Sequence, residues 1–272
     1  MKRNLIIIIF LLAVVTSCRK NLSDINTDPK SASEAPGATL FSSAQKNFAD
    51  IITTPNVNNN IFEFIVQYWA ATTYPQESRY DLGNRNIPQN WWTIIYRDVL
   101  SDLDESLSLI RAQPPGTATQ EIVRKNQIAI AKIMRTHAFY VLLNTFGNIP
   151  YTEALNIDDP TPAYDDQQEI YMALLDTLDA SISELDDSEG SFDDADLVYS
   201  GDVASWFKFA NSLKLRMAMN LADVDFNTAK TLVEAAAPNV FTSNEDNAVF
   251  RYLSTPPNTN PIWTNLVQSN RN

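Results

Sequence analysis

Between residues 74 and 92 the chain sets aromatic rings beside hydrogen-bonding heads: Tyr74-Pro75-Gln76-Glu77-Ser78-Arg79-Tyr80, then Asn84-Arg85-Asn86, then Asn90-Trp91-Trp92. A sugar ring has an apolar C–H face and a rim of hydroxyls, so a binder needs flat apolar surfaces edged by amide or guanidinium donors. This segment supplies both, and Tyr74, Arg79, Tyr80 and Trp91 are the candidate ligand contacts. Trp92 falls on the apolar stripe of the helix that follows and is assigned to its core. Trp91 falls off that stripe and is divided evenly between core packing and ligand contact.

Other chemistries find little to work with. His137, the one histidine, lies among Met134, Val141 and other apolar residues, with no thiol or second imidazole to join it in metal binding or catalysis, and it reads as a core histidine. The six glycines, at 37, 83, 116, 147, 190 and 201, are never closer than eleven positions, so neither a dinucleotide fingerprint nor a phosphate-binding loop can be assembled. Nucleophile-elbow and Ser-Lys signatures are absent as well. Two carboxylates could flank a glycosidic bond, which keeps a glycoside hydrolase as the weakest reading. The acidic clusters Asp158-Asp159, Asp186-Asp187 and Asp193-Asp194-Ala195-Asp196 fall where helix ends and loops are expected. The order Asp186-Asp187-Ser188-Glu189-Gly190 fails the spacing of a calcium loop, so these clusters read as solvated charge, with calcium a weak alternative. No metal site and no cofactor are expected.

Helices must position these residues. From Trp92 the apolar positions Tyr96, Val99, Leu103, Leu107 and Ile110 recur at three and four, one stripe of a helix that Pro114-Pro115-Gly116 ends. Thr117 and Gln120 have the spacing of a capping box opening the next helix, which runs through Ile128, Ile133, Met134, His137 and Val141 to Gly147 and Pro150. The pattern recurs in Tyr171, Leu174, Leu178, Ile182 and Leu185 behind Asp165 and Gln168, and in Trp206, Phe209, Leu213, Met217 and Leu221 behind Gly201-Asp202. No stretch alternates in the manner of a hairpin. The fold class expected is mainly α, a tetratricopeptide-like helical-repeat superhelix with long loops and little β, although the tetratricopeptide consensus itself is missing.

The N-terminus reads as a sorting device. Lys2 and Arg3 precede an apolar run from Leu5 to Val15, too short to span a bilayer, and Val15-Thr16-Ser17-Cys18 resembles the lipobox of bacterial lipoproteins. The expectation is a signal peptide over 1–17, diacylglycerol and N-acyl lipid on Cys18, the chain's one cysteine, and a lipid-anchored tether rich in Ser, Asn, Asp and Pro over 18–36. Acylation consumes the only thiol, so no disulfide is expected and the core must hold the domain. The whole chain carries 20 basic and 33 acidic residues; loss of Lys2 and Arg3 leaves 18 against 33, a net charge of −15. A surface of that sign excludes nucleic acid and repels anionic headgroups, so the lipid itself must supply the membrane affinity.

The segment Ser205-Trp206-Phe207-Lys208-Phe209-Ala210-Asn211-Ser212-Leu213-Lys214-Leu215-Arg216-Met217 closely resembles the W-x-K-F-A-N-S-L-K-L-R motif of the SusD/RagB family of Bacteroidota outer-membrane lipoproteins. Four further pieces agree in order: Asn26-Thr27-Asp28-Pro29, the Trp92 and Tyr96 helix start, Arg135–Tyr140 leading to Phe146-Gly147-Asn148-Ile149-Pro150-Tyr151, and Ile170-Tyr171 through Leu185. The resemblance implies a non-enzymatic surface lipoprotein of the outer membrane that binds oligosaccharides and delivers them to a SusC-like TonB-dependent transporter, or, as in RagB-type relatives, captures peptides. It implies that Trp206, Lys208, Asn211 and Arg216 organise the fold rather than touch ligand. Family members run to about twice this length, beyond a typical compact domain, so residues 37–272 are expected to be the N-terminal part of a SusD-like helical domain in a truncated chain. Arg19-Lys20 directly after Cys18 departs from relatives that carry acidic residues there.

Overall fold

The computed structural model describes residues 35–53, 56, 59–71 and 73–269. The expected leader, the acylated Cys18 and the tether up to Glu34 lie outside these residues. Among the described residues there are eight α-helices: α1 Gly37–Ile52, α2 Phe62–Ile65, α3 Ile87–Thr93, α4 Ser101–Arg111, α5 Ala118–Phe146, α6 Gln167–Glu184, α7 Val203–Asn220 and α8 Phe226–Ala236. No strand occurs among them, only an isolated antiparallel bridge between Ile149 and Asp165. The mainly helical reading therefore holds. Successive helices pack on one another, α1 on α4, α4 on α5, α5 on α6, α6 on α7 and α7 on α8, which is the packing expected of stacked helix pairs.

Local sequence explains most of the boundaries. Thr117 and Gln120 form the reciprocal capping box: Gln120 N–H donates to Thr117 Oγ1 and Thr117 N–H to Gln120 Oε1. From there α5 runs 29 residues and buries Ile130, Ile133, Ala138, Phe139, Leu142 and Leu143 on several faces, as a central helix must. It stops at Gly147, whose φ of 77° and ψ of −126° lie outside the left-handed helical region and suit glycine. The next cap corrects the sequence reading. Asp166, not Asp165, opens α6, its carboxylate accepting from Gln168 N–H and Glu169 N–H. Asp165 is one residue too early because its own N–H already donates to Ile149 O in the bridge. Its side chain instead accepts from Thr152 and Tyr151, contacts that hold the carboxyl below the usual carboxylate range and close the loop from 147 to 166.

The long connection from α6 to α7 is pinned by side chains rather than by a ladder. Asn126, fully buried in α5, donates to the carbonyls of Asp186 and Gly190 and accepts from Asp186 N–H. Asp196 is buried too, a correction to its reading as solvated charge, whereas its neighbours Asp193 and Asp194 are exposed. The Asp196 carboxylate accepts from Gln45 Nε2 at 2.8 Å, Trp206 Nε1 at 2.7 Å, Gly201 N–H at 3.0 Å and Val198 N–H at 3.1 Å. Four donors replace the water it gave up, which is what lets a carboxylate sit in the core without a cation. Phe192, on the same connection, stacks on Phe41 of α1 at 3.9 Å between ring centroids.

Candidate ligand surface

A π-helical stretch, Ile94–Leu100, joins α3 to α4, so residues 87–111 form one continuous helical rod. Its i→i+5 bonding makes a wider turn than an α-helix and shifts the phase of everything before it. The buried stripe, read backwards from Leu103, therefore passes through Val99 and Ile95 to Trp91, not to Trp92. Trp91, which the sequence divided evenly between core and ligand contact, is thus a core residue, while Trp92 is half-buried and packs against the core from its edge. Trp91 is 7 % exposed, meets Phe62 edge to face and donates from Nε1 to Asn59 O at 2.8 Å. Burial takes Trp91 out of the candidate contact set; its work is to anchor the segment that precedes it.

That segment exposes the remaining candidates. Tyr74 is 65 % and Tyr80 60 % exposed, Arg79 is exposed beside them in sequence, and Tyr68, which the sequence reading missed, is 83 % exposed. Gln67 Nε2 reaches the Tyr80 hydroxyl at 3.4 Å, which ties Tyr80 to the turn that carries Tyr68. Underneath, Glu77 is buried and ion-paired to Arg85 at 2.8 Å. Three non-glycine residues here, Gln67, Tyr80 and Asn86, hold positive φ values of 53–61°. Left-handed backbone at non-glycine positions costs about 1–3 kcal/mol each, and such strain gathers where a surface is held for a ligand. The combination of open rings, amides and a guanidinium with no ion pair among the described residues can stack on an apolar ring face and pair its hydroxyls.

A groove of about 470 Å³ opens on the other side of the same helix turn, lined by Trp92, Tyr96, Pro150, Leu155, Pro162 and Tyr164 among others. Tyr164 lies over Trp92 with ring centroids 6.0 Å apart and 24° between planes, and Trp92 meets Phe146 edge to face. Tyr96 donates from its hydroxyl to Pro150 O at 2.6 Å, and burial pushes its pKa above the usual tyrosine range. Sequence reasoning passed over Tyr164; the signal available was the run Pro160-Thr161-Pro162-Ala163-Tyr164, an aromatic residue behind two prolines in a long loop.

The motif residues of α7 face inward or pair with neighbours. Trp206 is fully buried on Asp196, Lys208 pairs with Asp246 at 2.6 Å, Asn211 donates to Phe207 O, and Arg216 lies over Tyr140. None of them reaches the aromatic segment. Among the described residues no three of His, Cys, Asp and Glu gather as a metal site, and no helix is long and apolar enough to cross a membrane.

Stacked helix pairs joined by long loops define a mainly α, helical-repeat fold. Residues 29–272 match the SusD-like family described as "Starch-binding associating with outer membrane", and the chain belongs to that family. Solved structures agree. A chitin-binding SusD homologue from Flavobacterium johnsoniae superposes with a TM-score of 0.64 at 27 % identity, covering 83 % of this chain and 48 % of that one. A SusD homologue from Bacteroides uniformis gives 0.61 at 27 %, over 83 % and 47 %. One from Parabacteroides distasonis gives 0.67 at 22 %, over 86 % and 45 %, and speaks for the fold alone. The chain spans less than half the length of these structures. No curated protein matches it.

Proposed function

We propose that this chain belongs to a surface lipoprotein, anchored through acylated Cys18 in the outer membrane, that captures oligosaccharides and passes them to a SusC-like TonB-dependent transporter. The observation that carries the reading is the set of open aromatic faces at Tyr68, Tyr74 and Tyr80, with Arg79 among them, on a segment braced by Trp91 and by the buried Glu77–Arg85 pair. Family membership and the chitin-binding relative support a glycan as the ligand. Binding without turnover is the expected behaviour, with the oligomer recovered intact.

Calorimetry of the native-length lipoprotein with chitohexaose and with maltoheptaose tests this. One of the two is expected to bind saturably, and the double variant Tyr74→Ala/Tyr80→Ala to bind it at least tenfold more weakly, about 1.4 kcal/mol or more. Undiminished affinity in the double variant would remove these residues from the site. Absence of binding to either sugar, with saturable binding of a mixed oligopeptide library, would replace the glycan by peptide.

A further inference from the structure

A different surface lies where α4, α5 and α6 meet. Asp104, Leu107 and Arg111 from α4, Lys132 and Arg135 from α5, and Thr177 from α6 line a groove of about 370 Å³. The α4 residues recur at three and four and the α5 pair is three apart, so each set forms one helical row facing the other.

The charge of this groove runs against that of the chain. With 33 acidic residues against 20 basic, carboxylates neutralise several cations elsewhere, Lys46 by Asp50, Arg85 by Glu77, Lys208 by Asp246 and Lys214 by Asp179, although Arg79 has no ion pair among the described residues. Here three cations meet two carboxylates. Arg135 holds Asp104 at 2.5 Å and Lys132 holds Glu184, at the rim, at 2.9 Å. Arg111 has no carboxylate partner among the described residues and is exposed.

Arg135 is also already in position. Its Nε and Nη2 engage Asp104. Its guanidinium lies 4.7 Å over the Phe139 ring and 5.8 Å from that of Tyr151. Nη1 has no hydrogen-bond partner among the described residues. A planar cation fixed on two sides and half-buried loses little rotamer freedom on meeting a ligand, and a partner there is screened less than in open solvent. Thr177 Oγ1 is spent on Ala173 O and supplies no hydrogen.

We propose that this groove is an oxyanion subsite for one carboxylate or sulfate group, positioned by Arg135 and Lys132 and closed by Arg111. Its charge balance is completed by a single negative group, and guanidinium forks match the paired oxygens of such groups. The proposal is independent of the aromatic surface.

Titration of the full chain at constant ionic strength tests it, with sodium sulfate, sodium glucuronate and an oligogalacturonide as probes and sodium chloride as the reference. The readouts are calorimetry and the side-chain Nε resonances of arginine. Saturable binding of the oxyanions, weakened at least tenfold by Arg111→Ala and partly restored in Arg111→Lys, is the result expected. Oligogalacturonide binding tenfold tighter than glucuronate identifies the carrier as a saccharide; equal or tighter binding of sulfate identifies a free anion. Arg111 is exposed, so its alanine variant is expected to fold, and Lys132→Ala provides a second variant with the same expected loss. No saturable response, or unchanged affinity in both variants, overturns the proposal and leaves Arg111 as a cation complementing the C-terminus of α4.

Discussion

His137 is the residue whose chemistry can be read directly from its surroundings. Phe48 meets it edge to face at 5.0 Å, Phe209 and Tyr140 flank it, and burial, with Arg216 nearby, holds its pKa down to about 4. The unfolded chain takes up that proton near pH 6.5, whereas the folded one stays neutral until about pH 4. Its contribution is therefore whole above pH 6.5 and is lost as pH falls toward 4, by about 2 kcal/mol at pH 5. Urea midpoints at pH 7.5 and 5.0 should show the loss in the parent chain and a much smaller one in His137→Leu; equal slopes in the two would refute it. The apolar neighbours in sequence made the packing of this histidine against aromatic rings legible, and the structure places it half-buried at the edge of the core. Asp196 was not legible, because the donor that draws it inward, Gln45, lies about 150 positions away and no local spacing reports it.

At the scale of elements, caps and stripes were readable where one residue's side chain satisfies its own helix. Thr117 with Gln120 is such a case, and so is Asp202, whose carboxylate accepts from Ser205 N–H to open α7. The π-helical stretch was not, since it keeps helical composition and changes only the winding; that single difference left Trp91 undecided between core and surface. The connection into α7 yields a sharp test. Gly201 has φ of +84°, and a Cβ there would lie 2.6 Å from Asp193 N, while its N–H serves Asp196 and its carbonyl accepts from Ser191 Oγ. Gly147 has a similar φ of +77° with nothing within 4 Å of a Cβ. Both glycines carry the backbone cost of alanine at positive φ, about 1–3 kcal/mol, and Gly201→Ala is expected to cost more than Gly147→Ala because only it adds the clash at Asp193, measured by denaturant unfolding. Equal costs would mean that backbone conformation alone, not the crowding at Asp193, governs this turn.

For the whole molecule, the order of helices and the family were legible because both are carried by patterns repeated over hundreds of residues. Of the candidate surface, the exposure of Tyr74, Arg79 and Tyr80 was legible from residue type, while the exposure of Tyr68 and Tyr164 depends on how loops fold back. If the proposed function holds, a pull-down of the native-length protein from detergent-solubilised outer membranes is expected to recover a large TonB-dependent barrel by mass spectrometry; its repeated absence would overturn the transporter part of the proposal. The two tryptophans give the architecture a further property. Trp91 braces the exposed tyrosines and Trp92 floors the Tyr164 groove, yet both leave one turn of one rod, and their aim is set by the wide winding at Ile94–Leu100. The wide turn absorbs one extra residue, so deleting one residue from that stretch would return it to α-helical pitch and leave both rings aimed as they are. The rod can therefore gain or lose a residue there without re-aiming either face, and the length of the connection can drift while the packed helices behind it stay fixed.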